Sequence, residues 1–213
     1  GSRTVDLHYV NHELREGSVP MAGGLPTACG GDMTLAVTLR DEAAGLELKL
    51  YYTTYPDTDV ITRRAELRCL KDYVNLHKLM SFSLDLAERG LEMTNFTGGW
   101  IREAHAVLRP AEGELINASR TGSSSNRANP GFLLSERGAG EDRGRVWGFN
   151  LVYSGGLMSC VSADEHGSVR VMGGINPEGF DWPLAAGEGF ETPEAVLCFS
   201  SEGFGGLSRA MHG

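Results

Sequence analysis

Apolar and polar side chains alternate with a period of two along much of this chain. Leu35, Val37 and Leu39 are interleaved with Ala36, Thr38 and Arg40, and Leu46, Leu48 and Leu50 with Glu47 and Lys49. In extended backbone that period puts the leucines and the valine on one face, which predicts two half-buried strands with this face toward the core. Residues 40–45 between them are short enough to close a hairpin. Phe82, Leu84 and Leu86 repeat the pattern, and Trp147, Phe149, Leu151 and Tyr153 give it in aromatic form. Val169, Val171 and Ile175 follow after a turn at 164–168, so the strands read as an antiparallel meander. The 29 glycines and 8 prolines mark the turns. Helical periodicity is confined to few windows, of which Gly203–His212 is the best. No internal repeat, low-complexity linker or shift in composition divides residues 1–213, and one all-β domain is expected.

A chain of 213 residues can bury roughly 70% of its unfolded surface, enough for a real core. Its formal net charge of -9 comes from 28 acidic against 19 basic residues. That balance excludes a phosphate-backbone binder, which needs clustered Lys and Arg. No apolar run reaches the ~18–20 residues that span a bilayer, and the first ten residues lack the apolar region of a secretory signal. Cys29, Cys69, Cys160 and Cys198 lie tens of residues apart without a CxxC pair. They read as reduced structural thiols, and the expected compartment is cytoplasmic. His8 and His12 share one face of a strand, but no carboxylate cluster completes a ligand set, so neither metal nor cofactor is expected.

Several segments carry a more specific pattern: GLPTACGGD at 24–32, FTGGWIREAH at 96–105, GSSSNRANPGF at 122–132, WGFNLVYSGG at 147–156 and GGINPEGFDWPLAAGEGFETPE at 173–194. Together with AVLCFSSEGFGGLSRAMH at 195–212 they resemble the amino-terminal β-domain of the family 36 glycoside hydrolases, the bacterial α-galactosidases, from about Asp6 to His212. The resemblance implies a large antiparallel β-sandwich of the galactose-mutarotase-like supersandwich type. It implies a parent enzyme that hydrolyses terminal α-galactosides such as melibiose and raffinose, with its catalytic residues on a TIM barrel that begins after a segment like 205–212. On this reading the chain is truncated at both ends. Its partners are its own carboxy-terminal barrel and further copies of itself, with a galactose-containing oligosaccharide as the parent's substrate. The alternative is a stand-alone carbohydrate-binding or scaffold module with no catalysis.

A retaining glycosidase needs two carboxylates ~5 Å apart. The resemblance places the nucleophile in a motif like KWD and the acid/base in a later Gly-rich segment ending in Asp, and neither motif occurs here. No catalytic residue is therefore assigned, and the chain alone is expected to be inactive. Three residues are candidates for contact with substrate or partner. Trp100 reads either as a core tryptophan or as a platform for a pyranose face. Trp182, with Phe180, reads as a packing anchor or a sugar-stacking residue, and the segment 173–194 as a structural lock. Asn129 lies in the polar stretch 118–131, which reads as a solvated loop or as a hydrogen-bonding surface for a sugar or partner; Asn129 and Pro130 match the family's usual loop, and the glycine before Phe132 departs from it.

Overall fold

The computed structural model describes residues 4–124 and 127–212. The stretch 118–131 therefore includes two positions, 125 and 126, outside the described residues. The chain forms strands throughout, ending in the helix expected at Gly203–His212 (α1). Nine strands build one large sheet: β1 (His8–Glu16), β2 (Met33–Asp41), β3 (Leu46–Tyr55), β4 (Val60–Cys69), β16 (Ala195–Ser200), β11 (Val146–Leu151), β10 (Gly131–Glu136), β7 (Leu91–Gly99) and β8 (Arg102–Pro110), in that spatial order. A short tenth, β15 (Gly189–Glu191), pairs with β4 off this path. The facing sheet has four strands in the order β6 (Met80–Leu86), β13 (Val169–Ile175), β12 (Leu157–Ala163), β9 (Glu114–Ala118). A ribbon of β5 (Tyr73–Leu76) and β14 (Trp182–Ala185) completes the set, and all the named strands pair antiparallel.

The main core lies between the two sheets. Phe149 stacks on Phe82 from the smaller sheet and on Phe132 from its own, with ring centroids 5.5 and 5.0 Å apart, among buried Leu91, Met93, Leu134, Leu157, Val161 and Val171. Gly173 makes room for this stack: a Cβ there would sit 2.4 Å from the Phe82 ring. The ribbon β5–β14 closes a second cluster over Leu46, Leu67 and Cys69. The helix α1 covers the opposite face of the large sheet, where Leu207 packs with Val60, Val146 and Cys198. Burying one stripe of a short helix against a sheet is how a ten-residue helix becomes stable at all.

One expectation is reversed. The face of β2 that carries Leu35, Val37 and Leu39 is only half-buried, whereas Thr34, Ala36 and Thr38 are buried. The cause is the segment following β1, whose backbone crosses the polar face. Gly17 O accepts from the Thr34 hydroxyl at 2.7 Å, the Val19 and Pro20 carbonyls accept from Arg64, and the Ala28 N–H donates to Glu194 at 2.7 Å. Alternation located the strand and its two faces, but which face is covered depends on a loop the alternation does not encode.

Candidate functional site

Strand register fixes which loops meet. Gly131 at the start of β10 opposes Asn150 near the end of β11, and Phe132 opposes Asn95 on β7, so the tip of the β7–β8 hairpin and the segments 127–130 and 152–156 lie at one end of the large sheet. The ends of β9 and β13 and the start of β12 meet there too, since Met158 opposes both Ala118 and Gly174. The opposite end holds the turn 137–145, against which α1 begins.

Trp100 sits at the tip of the hairpin β7–β8, between Gly99 and Arg102, which oppose one another. It is 88% exposed and its neighbour Ile101 75% exposed. The core reading of Trp100 is thus overturned: the β7–β8 hairpin runs past Asn95, the last buried residue of β7, and the turn carries the ring into solvent. Ile101 has φ 66°, a left-handed conformation that a β-branched residue adopts at a cost of about 1–3 kcal/mol. Its N–H is fixed by the Glu103 carboxylate at 3.0 Å. Gly98 is required just before the tip, because a Cβ there would meet the Arg102 carbonyl. The sequence GGWIRE therefore encodes a tight, strained turn that holds an indole outward.

Asn129 lies at the base of this arm. Its N–H donates to the Phe96 carbonyl at 3.3 Å, its Oδ1 accepts from the Gly131 N–H at 2.8 Å, and its carbonyl accepts from the Asn117 amide at 2.9 Å. This is an Asx turn that ties the loop to β7 and β9, so the backbone groups and Oδ1 of Asn129 serve the loop itself. Trp182 lies elsewhere, on the ribbon β5–β14 above β4 and β15. It is 48% exposed and meets Phe190 edge-on at 5.4 Å, as Phe180 also does. The expectation of a buried anchor at Trp182 is corrected by this geometry. Leu184 is the buried residue of β14; Trp182, two positions before it on the same face, lies at the start of the strand, where Phe190 covers only part of its ring. Trp100 and Asn129 are thus joined through β7, and Trp182 stands apart from both.

Between the loops at this end is a cavity of about 390 Å³ lined by Ser119, Arg120, Tyr153, Asn176, Glu178 and Phe180. Arg120 and Glu178 pair across it at 2.6 Å, and the Asn176 amide donates to the Ser119 carbonyl at 2.9 Å. The Tyr153 ring lies against Gly155, where any Cβ would come within 2.3 Å of it. Hydroxyls, an amide, an ion pair and aromatic rings make a surface suited to hydrogen-bonded recognition of a sugar or of another chain. Among the described residues, no group of three or more His, Cys, Asp or Glu side chains is placed to hold a metal ion. Sequence reasoning passed over Tyr153 and Asn176 because each sits in a short glycine-containing loop whose partner loop is distant in the chain.

Residues 1–185 match the profile of the glycosyl hydrolase family 36 N-terminal domain. The chain belongs to this family. Over its whole length it is 36% identical to the α-galactosidase AgaA of Geobacillus stearothermophilus, and it covers 30% of that protein. It is likewise 36% identical to α-galactosidase 2 of Hypocrea jecorina, covering 29% of it. The crystal structure of an AgaA variant in complex with 1-deoxygalactonojirimycin superposes on all of the chain with a TM-score of 0.96, again over 30% of that chain. The galactosidase domain of the α-galactosidase–sucrose kinase AgaSK gives a TM-score of 0.93 at 32% identity, over 97% of this chain and 29% of that one. This family 36 N-terminal domain therefore spans about 30% of the length of AgaA. In each of these solved relatives the corresponding fold is part of a longer polypeptide.

Proposed function

We propose that this chain is the non-catalytic amino-terminal β-domain of an α-galactosidase acting on terminal α-galactosides, and that it supports a catalytic barrel and the assembly of subunits. The observation that carries the reading is the match of the entire chain, at a TM-score of 0.96, to 30% of an α-galactosidase. The hairpin tip at Trp100 and Ile101 is the proposed contact with sugar or with a neighbouring subunit, because exposed aromatic and aliphatic side chains on a strained, rigidly tied turn are suited to insertion into a complementary surface. Asn129 acts through the loop that braces this arm, and Trp182 offers a second exposed aromatic face. The proposed location is cytoplasmic, supported by four free thiols, three of them buried.

Incubation of the purified chain with a chromogenic α-galactoside tests the reading, and no turnover is expected. Turnover abolished by replacing an Asp or Glu of this chain would move the catalytic site into this domain and overturn the proposal. Titration with galactose and raffinose separates the alternative of an independent carbohydrate-binding module. Saturable binding lost in Trp100→Ala would favour that module.

A further inference from the structure

The two faces of the smaller sheet differ in content. Leu157, Val161, Val169 and Val171 point inward and belong to the main core. Alternation therefore turns Met158, Cys160, Arg170 and Met172 outward, and the Arg170–Asp85 pair lies on this outer face. Cys160 on β12 opposes Met172 on β13, and Met158, two residues before Cys160, opposes Gly174. Directly opposed residues hold their Cβ atoms about 4.5–5.5 Å apart, and diagonal ones about 7–8 Å. A thiol and two thioethers thus share one patch. Gly174 puts no side chain between the thioethers, and beyond it the bulged backbone of β6 closes in, with Ser81 N 2.9 Å from where a Cβ would sit.

The surroundings of the patch are mostly aliphatic. Ile116 opposes Cys160 from β9, and Ala118 opposes Met158. Cys160 is 2% exposed, whereas both methionines are half-buried. Methionine is unbranched with three rotatable bonds, so the two thioethers can swing over the thiol or apart from it. The thiol donates to the Glu114 carboxylate at 3.5 Å, and burial pushes it up to about 11. Lys78 is the other charged group that acts on it, so the thiol feels one charge of each sign. Thiolate and thioether sulfur are soft donors that select copper(I) and leave magnesium, calcium and manganese to oxygen ligands. This set differs from the His, Cys, Asp and Glu groups excluded above, because two of its three donors are thioethers.

We propose that Met158, Cys160 and Met172 form a three-sulfur site for copper(I) on the outer face of the smaller sheet. The half-buried thioethers take the ion first and pass it to the thiol beneath them. There the S–H bond breaks and a sulfur–copper bond forms, while the proton passes to the Glu114 carboxylate, its present acceptor, and on to solvent. No electron is transferred. Two thioether donors disfavour zinc(II), whose protein ligands are thiolate, imidazole and carboxylate. The site needs neither a galactoside nor a barrel, so its failure would leave the functional reading above standing.

The test uses the chain with Cys29→Ser, which removes the exposed thiol. Copper(I), kept reduced without oxygen, is titrated in competition with the chromogenic chelator bicinchoninate. One equivalent is expected to leave the chelator for the protein, with an affinity that rises about tenfold per pH unit between about pH 6 and pH 8, as release of one proton requires. Cys160→Ser should abolish this equivalent. Met158→Leu and Met172→Leu, each close in volume to the parent side chain, should weaken it by about tenfold or more, since even the hydrogen-bond partners of metal ligands matter that much. Should Cys160→Ser fail to fold, the two leucine variants decide. No withdrawal of copper from the chelator, an equivalent that survives Cys160→Ser, leucine variants that bind as the parent does, an affinity independent of pH, or equal competition by zinc(II) would each overturn the proposal.

Discussion

Arg64 donates to Glu191 at 2.9 Å across β4 and β15, and with 3% and 15% of their side chains exposed the two form the most enclosed ion pair among the described residues. The same guanidinium lies 4.1 Å from the Tyr51 ring centroid and donates to the Val19 carbonyl, while Glu191 accepts from Ala22 N–H at 2.9 Å. The pair thus pins the segment after β1 onto the sheet. Arg64→Met leaves Glu191 enclosed without its cation, and a loss of about 3–5 kcal/mol is expected. The double variant Arg64→Met, Glu191→Gln should recover part of that loss. Urea unfolding of the single and double variants measures both, and a single variant within ~0.5 kcal/mol of the parent would show that the loop is held by its backbone alone.

The two exposed tryptophans should behave differently from a core aromatic. Complete removal of a buried Phe or Trp costs about 3–5 kcal/mol. Trp182 is 48% exposed and keeps one edge contact with Phe190, so Trp182→Ala should cost only about 1–2 kcal/mol. Trp100→Ala, at 88% exposure, should change stability by less than about 0.5 kcal/mol. Thermal melts of both variants beside Phe149→Ala, a residue 2% exposed in the main core, set the scale. A Trp182→Ala loss as large as that of Phe149→Ala would restore the buried-lock reading.

Strand positions were legible because a period of two survives in the sequence wherever one face is more apolar than the other. The hairpin around 40–45, the turn at 164–168 and the helix Gly203–His212 all lie where pattern and glycine placement put them. What alternation left open was which face receives cover, as β2 shows with its buried threonines. The Arg63–Arg64 pair was a readable signal that went unused. Adjacent arginines in a strand must point to opposite faces, and here one meets Glu191 beneath a loop while the other enters the groove beside β6. The outward aim of Trp100 was not legible, since GGW fits a core turn and an exposed tip equally well until the length of β7–β8 is known.

Thiol reactivity should divide the four cysteines by burial. Desolvation, aided by the neighbouring Glu114 carboxylate, pushes the Cys160 thiol up to about 11, and desolvation also raises that of Cys198. Cys69 is fully buried, its thiol donating to the Lys71 carbonyl at 3.0 Å. Only the thiolate attacks a disulfide reagent, so Cys29, the exposed one, should react alone in the native chain, and the remaining three only on unfolding. Cys29→Ser should abolish the fast phase. A fast phase that persists in this variant would mean that one of the buried strands opens readily.

Stability should fall on both sides of neutrality for separable reasons. Asp85 and Glu136 are held below the ordinary carboxylate range, the first chiefly by the Arg170 guanidinium and the second by the Arg145 N–H and then its guanidinium. Asp41 and Asp164 are lowered mainly by backbone N–H donors, from Ala44 and Asp6 in one case and from Ser168 and His166 in the other. A depressed folded value means stability that is complete above the unfolded value of about 4 and is lost as the pH falls through it toward the folded one. The urea midpoint should therefore decline below about pH 5. Salt near 1 M, with a screening length of about 3 Å, should flatten the share due to the exposed Asp85–Arg170 pair and leave the backbone-bonded carboxylates. On the basic side, burial and then the Glu66 carboxylate raise the Tyr51 phenol from 10.0 to about 12. A raised folded value has the opposite sense: its contribution is complete below the unfolded value and disappears as pH rises toward 12. Tyr51→Phe should remove this alkaline decline while leaving the acid one intact, and an alkaline midpoint that falls equally in both chains would assign the loss to other groups.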